Sequence, residues 1–175
     1  MLQPCRHFNY CPRCGAPGAG AESGNPVRCE ACGFVLFFNP AGAVAAFVVR
    51  EDGRVLYTRR AKDPAKGALG MPGGFVDEGE TAEAALRREV LEEVGLELRE
   101  LRYLCSYPNA YPYRDVLYRT IDLFFVATAL DPSRARGLVA VASTEWLDPV
   151  AISPADIAFD SMRLALDDYL RTRIP

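Results

Sequence analysis

The sequence predicts a mixed α/β domain preceded by a small cysteine-rich metal module, and three observations carry that prediction. Two Cys-x-x-Cys pairs, Cys11/Cys14 and Cys29/Cys32, stand fourteen residues apart near the N-terminus. Beyond them, short runs rich in β-branched and aromatic residues are separated by Gly, Pro and Asp turns, the pattern of strands. Among those runs lies one stretch, Gly73 to Leu96, that opens on glycines and continues as a helix unusually rich in glutamate. A chain of 175 residues suits one domain with a small appendage. Half of the residues are hydrophobic and a quarter charged, a globular composition.

Residues 1–38 form the expected metal module, and residues 39–175 the main domain. Four thiolates around Zn²⁺ make a closed tetrahedral site, structural and not catalytic, so Cys11, Cys14, Cys29 and Cys32 are its expected ligands. Gly15 and Gly33 each follow the second cysteine of a pair, where the backbone must turn tightly toward sulfur. Cys5 and Cys105 fall outside the pattern and have no assigned role. The segment between the pairs is too polar to make its own core, so metal binding supplies most of its folding free energy. Phe34 to Phe38 reads as a strand leading out of the module, and Asn39-Pro40 as the boundary.

Gly42 to Arg50 reads as a buried strand, Asp52-Gly53 as a hairpin turn and Arg54 to Arg60 as the returning strand. Arg59, Arg60, Lys62 and Lys66 then cluster around a Pro- and Gly-containing loop, either meeting substrate phosphates or forming a solvated surface. Leu69 to Val76 is a short strand, and the helix spans Thr81 to Val94 with Gly95 as its C-terminal cap. Leu101 to Tyr107 is the next strand, followed by a loop from Pro108 to Arg114. Val116 to Leu130 is strand again, and Val139 to Leu147 supplies the last one. Ser153-Pro154 reads as the start of a closing helix running to Arg171, with Ile157, Met162, Leu166 and Tyr169/Leu170 on its packed side.

The glutamate-rich helix carries the chemistry. Ala82, Leu86, Val90 and Val94 form one apolar arc on a helical wheel, and Glu89, Glu92 and Glu93 the arc beside it. Three crowded carboxylates repel one another and raise each other's pKa values, and a hard divalent cation, Mg²⁺ or Mn²⁺, relieves that repulsion. The spacing is more specific than the wheel: Gly74, five residues, Glu80, seven residues, then Arg88-Glu89-Val90-Leu91-Glu92-Glu93-Val94-Gly95-Leu96. Position for position, this resembles the signature of the Nudix hydrolases. The resemblance implies a mixed sheet held between helices, an α/β/α sandwich behind the zinc ribbon. It implies metal-assisted cleavage of the pyrophosphate in a nucleoside diphosphate-linked compound. Glu89, Glu92 and Glu93 become the metal-binding carboxylates, with the Gly73 carbonyl as a further ligand. Arg88 holds the carboxylates, and Glu80 ties the loop to the helix.

The cysteine spacing, the box and Leu101-Arg102-Tyr103 are similar to bacterial NADH pyrophosphatases, and Pro112 stands where ADP-ribose pyrophosphatases carry a proline. ADP-ribose and NADH or NAD are therefore the substrates the resemblance favours. Two features depart from that pattern. The two glutamates expected six and three residues before Trp146 are Ala140 and Ser143, leaving Glu145 out of register. The S-Q-P-W-P-F-P motif is represented only by Ser106 to Tyr113, in which Tyr107, Tyr111 and Tyr113 are candidate stacking faces for a base. Arg59 and Glu145 complete the expected substrate contacts. A nucleotide-sensing protein that docks a partner through its ribbon stands as the rival reading, and some relatives pair as homodimers. The net charge of −3, with glutamates gathered between Asp77 and Glu100, excludes a basic face for duplex DNA. With no hydrophobic leader and no apolar run of spanning length, a cytoplasmic protein off the membrane is expected.

Overall fold

The computed structural model describes residues 4–18 and 25–172. The chain divides into two compact units, Met1–Pro40 with Ala110–Arg119, and Ala41–Asn109 with Thr120–Pro175.

In the first unit, a 3₁₀ turn at Pro4–His7 precedes the two cysteine knuckles. Strands β1 (Val27–Arg28) and β2 (Val35–Leu36) pair antiparallel, so the expected strand at 34–38 shortens to two residues. Cys5, Cys11, Val27 and Cys29 make a small buried core, with Phe34 and Phe38 packed against it. That core gives Cys5 a structural place, which its spacing from the other cysteines does not suggest.

In the second unit, β3 (Ala41–Val48) is central. It pairs antiparallel with β6 (Gly73–Phe75) and parallel with Thr120–Ala127 of β8 (Val116–Ala129), and β7 (Leu98–Tyr113) closes the order β6-β3-β8-β7, the ends of β7 and β8 from Ala110 to Arg119 being counted with the first unit. A second sheet is built from β4 (Val55–Arg60), β5 (Leu69–Gly70) and β9 (Val141–Leu147), in the order β5-β4-β9. The expected hairpin across Asp52-Gly53 is therefore reduced to the single bridge Val49↔Val55, because β3 and β4 belong to different sheets. The one expected strand at 69–76 likewise splits into β5 and β6, one in each sheet.

Side-chain alternation along β3 divides the core between the helices. Val44, Ala46 and Val48 pack with Leu86, Val90 and Val94 of α1 (Ala82–Val94). Ala45 and Phe47 pack with Leu166 and Tyr169 of α2 (Asp160–Thr172). Phe47 stacks on Tyr169 at 4.6 Å between ring centroids. The helices cover opposite faces, which makes the α/β/α sandwich. On the α2 side, the buried carboxylate of Asp122 accepts hydrogen bonds from the Thr120 and Ser161 hydroxyls, each at 2.6 Å, which compensates its burial.

Two element boundaries differ from expectation. The closing helix begins at Asp160; Ser153 instead caps a separate 3₁₀ turn at Pro154–Asp156. The expected loop at 108–114 is strand, because β7 continues to Tyr113 and turns at Arg114, whose φ is +52°. Pro108 and Pro112 are tolerated there because β7 is the edge strand of its sheet, where a missing amide donor breaks no ladder.

Candidate active site

The glycine turn is shaped by what lies against it. Gly73 has φ +152°, and a Cβ there would stand 2.0 Å from the Val44 carbonyl oxygen. Gly74 meets something different: its Cβ would lie 2.4 Å from Cδ of Glu89 and within 2.6 Å of both carboxylate oxygens. The first glycine lets β6 lie on β3, and the second leaves room for a carboxylate. Thr81 then caps α1, accepting from the Ala84 amide at 3.2 Å, and Gly95 ends it in the left-handed conformation.

Arg88 is the hub of the turn. It donates from Nε and Nη2 to the two oxygens of Glu80, each at 2.8 Å, and from Nη1 to Glu89 at 2.7 Å. Nη2 also reaches the Phe75 carbonyl at 3.0 Å, and Glu92 stands 3.6 Å from Nη1. These partners raise the Arg88 pKa above its ordinary value, so its charge is permanent. Glu80 is held down at about 2, chiefly by Arg88 and then by the Asp77 amide. Its expected part, tying the loop to the helix, matches this geometry.

Glu93 is in a different situation. Burial pushes its pKa up to about 7, opposed by the Gly73 N–H, which donates to Oε2 at 3.0 Å. The charge of Glu89 adds to the rise, Arg60 counters it, and Glu92 contributes least. Glu89 and Glu92 thus both face Arg88, at 2.7 and 3.6 Å with Glu92 the more exposed, while Glu93 accepts from the Gly73 amide. Their donor set is all oxygen, suited to a hard cation, and the Gly74 cradle accommodates Glu89. Oxygen donors of this kind suit a hard divalent metal, although among the described residues the three carboxylates do not gather their ligand atoms within 4.8 Å of one another.

The cysteines fit a different one. Among the described residues, Cys11, Cys14, Cys29 and Cys32 are the group whose ligand atoms lie within 4.8 Å of one another. The Sγ atoms of Cys11 and Cys32 are 3.8 Å apart, and those of Cys14 and Cys29 3.7 Å. A tetrahedron with Zn–S bonds of about 2.3 Å has edges of about 3.8 Å. Gly15 and Gly33, at φ +75° and +71°, return their amides to the Cys11 and Cys29 carbonyls at 2.9 Å, so the two knuckles are copies of one turn.

The remaining candidates are dispersed. Arg59 is engaged with Glu145 at 2.6 Å and with the Gly67 carbonyl at 3.1 Å. Glu145 pairs across the sheet with Tyr57, whose side chain packs in the α2-side core, whereas α1 packs on the other face. Tyr107 is on β7, donates its hydroxyl to Asp168 of α2 at 2.5 Å and packs against the α2-side core. Tyr111 and Tyr113 remain together, 6.5 Å between centroids and 23° from parallel, with Arg114 over Tyr113.

Arg60, grouped in the sequence with Arg59, Lys62 and Lys66 as a cluster able to meet phosphates, makes contacts that Arg59 does not share. Its Nε donates to the Pro64 carbonyl at 2.7 Å, its guanidinium lies over the Phe159 ring at 5.0 Å, and its charge acts on Glu93. The pairing of β4 with β9 shifts register between Arg59 and Arg60, which interrupts strand alternation at this point.

The sequence profile of the NUDIX domain matches residues 39–167. The chain is 28% identical over 169 residues to the NAD-capped RNA hydrolase NudC of Deinococcus radiodurans, an alignment covering 95% of this chain and 58% of that protein. It therefore spans a little over half the length of that relative. It is 32% identical over 136 residues to the ADP-ribose pyrophosphatase of Methanocaldococcus jannaschii, covering 78% of this chain and 76% of the other. The crystal structure of a NUDIX hydrolase from Nitrosomonas europaea has the same fold, with a TM-score of 0.75 at 23% identity over 95% of this chain and 92% of that one. Matched over most of its length by the profile, and sharing nearly a third of its aligned residues with the archaeal relative, the chain belongs to the Nudix family of hydrolases.

Proposed function

We propose that the chain is a metal-dependent pyrophosphohydrolase of nucleoside diphosphate-linked compounds, with ADP-ribose and NADH or NAD as the substrates to test first. The observation that carries this reading is the arrangement at the box, where Gly74 makes room for Glu89 and the Gly73 amide aims Glu93. Glu89, Glu92 and Glu93 hold Mg²⁺ or Mn²⁺, joined by the Gly73 carbonyl. The cation, when bound, neutralises pyrophosphate charge and activates water. Arg88 keeps Glu89 oriented. Arg60, prealigned by Pro64 and Phe159, presents positive charge beside Glu93 where a phosphate would approach.

In this reading residues 1–38 are a ribbon held by one Zn²⁺ on the four cysteines, and residues 39–175 are the catalytic domain. We place the protein in the cytoplasm, where thiols stay reduced. Among the described residues no helix is long and apolar enough to cross a membrane.

One observation favours the rival, a nucleotide sensor: residues 134–144 contain no carboxylate, and Glu145 is committed to Arg59. The experiment is a panel of ADP-ribose, NADH, NAD, diadenosine polyphosphates and nucleoside triphosphates with Mg²⁺ or Mn²⁺, beside Glu93→Gln. Hydrolysis of an ADP-linked compound that is lost in Glu93→Gln supports the enzyme. Micromolar binding of one compound with turnover of none selects the sensor.

A further inference from the structure

The last turn of α1 carries two of the three box carboxylates, and the last four carbonyls of any helix lack intrahelical donors. Gly95 satisfies one, donating its N–H to the Leu91 carbonyl at 3.0 Å. The other three are all met by one irregular segment between β8 and β9. Arg136 donates to Val94 at 3.1 Å, Leu138 to Glu93 at 2.9 Å, and Val139 to Glu92 at 3.5 Å. The Leu138 side chain also lies against Gly95, where a Cβ would meet its Cδ1 at 3.5 Å. One residue beyond Val139, Ala140 adopts φ +60° and its carbonyl receives the amide of Ala61, the neighbour of Arg60.

Residues 136–140 are therefore bonded both to the turn bearing Glu92 and Glu93 and to the strand end bearing Arg60. An ordinary helix end is closed by residues that follow it directly. Here the donors come from a distant part of the chain, so the last turn is fixed relative to the sheet and not merely to its own loop. Arg136, whose Nε lies 4.0 Å from where a Gly95 Cβ would stand, adds cationic charge at the negative end of the helix.

We infer that residues 136–140 are a positioning splint for the divalent-cation site: their backbone amides hold the final turn of α1 so that Glu92 and Glu93 meet a cation already oriented. The inference rests on the reading of Glu89, Glu92 and Glu93 as cation ligands. It assigns no ligand role to the segment, whose part is played by main-chain N–H groups.

The test replaces Leu138 by the corresponding α-hydroxy acid through nonsense suppression, exchanging the amide N–H for an ester oxygen and keeping the side chain. Mn²⁺ affinity of the full chain is measured without substrate, from the electron paramagnetic resonance signal of free Mn²⁺. The component lost in Glu93→Gln defines the site. The ester is expected to weaken that component about three- to tenfold, the scale of one net hydrogen bond. Leu138→Ala, which keeps the amide, is expected to stay within about twofold on the same scale. Unchanged affinity in the ester, with or without a lower melting temperature, overturns the splint. So does a loss in Leu138→Ala as large as that in the ester. If the Leu138 ester does not fold, the ester at Arg136 takes its place with the same expectation. A wild-type chain with no Glu93-dependent Mn²⁺ site would overturn the cation-site reading itself, and the splint with it.

Discussion

Replacing Gly74 by alanine separates the chemistry of the box from its fold. A Cβ at Gly74 would stand 2.4 Å from Cδ of Glu89, and ordinary van der Waals contact begins about 1 Å further out. The obstructing atoms are the end of a flexible side chain, so the backbone can stay and the Glu89 carboxylate must move. Moving it by that distance takes it off Arg88, which it now contacts at 2.7 Å. A displacement of about 1 Å at a positioned catalytic group lowers turnover by about a hundredfold. Gly73 provides the contrast: its Cβ would meet main-chain atoms at 2.0 Å and 2.7 Å, so alanine there must distort the β6–β3 pairing. Both variants are assayed with Mg²⁺ on whichever substrate the wild type turns over, alongside thermal unfolding and zinc content. Gly74→Ala is expected to lose about two orders of magnitude in kcat with little change in Tm, and Gly73→Ala to lose stability first. Activity of Gly74→Ala within twofold of wild type, or a collapse of its Tm, would refute the reasoning.

Three further outcomes follow from the same contacts. Glu80 lies at about 2 in the folded chain against an ordinary 4.5, so its contribution to stability is complete above the ordinary value and fades as pH falls toward 2. Glu80→Gln should flatten that part of the acid limb in urea unfolding, and an unchanged limb would remove Glu80 as its source. Leu86 is fully buried in the α1-side core, and Leu86→Ala should lower unfolding free energy by about 2–5 kcal/mol in a denaturant titration. Tyr107→Phe should leave turnover unchanged while lowering stability slightly, because its hydroxyl serves Asp168; a large rise in KM would return Tyr107 to the substrate site.

Features set by neighbouring residues are legible in the sequence. The glycine turn, the capping Thr81, the glutamate arc and the closing Gly95 lie within one contiguous stretch, and their geometry follows from local backbone rules. The cysteine knuckles are legible for the same reason, since each pair and its glycine form a turn by themselves. Arg88 is recognisable as a partner of the carboxylates because residues four apart on a helix share a face.

What the tertiary structure decides depends on pairings between distant segments. Proline content suggests a loop at 108–114, yet an edge strand tolerates proline, and edge position is a property of the whole sheet. Arg59 and Arg60 both read as cations at a strand end, with nothing local to choose between them. Only the pairing of β4 with β9 shows that Arg59 is matched to Glu145, while Arg60 acts on Glu93. The cap supplied by residues 136–140 is invisible in sequence for a plainer reason. It is made of main-chain amides, which every residue except proline possesses, so no side chain marks the site. By itself the sequence determined the glycine turn, the capped helix and its glutamate arc, because those are local. The partners that hold that turn in place were decided by the fold, because they reach it from other strands.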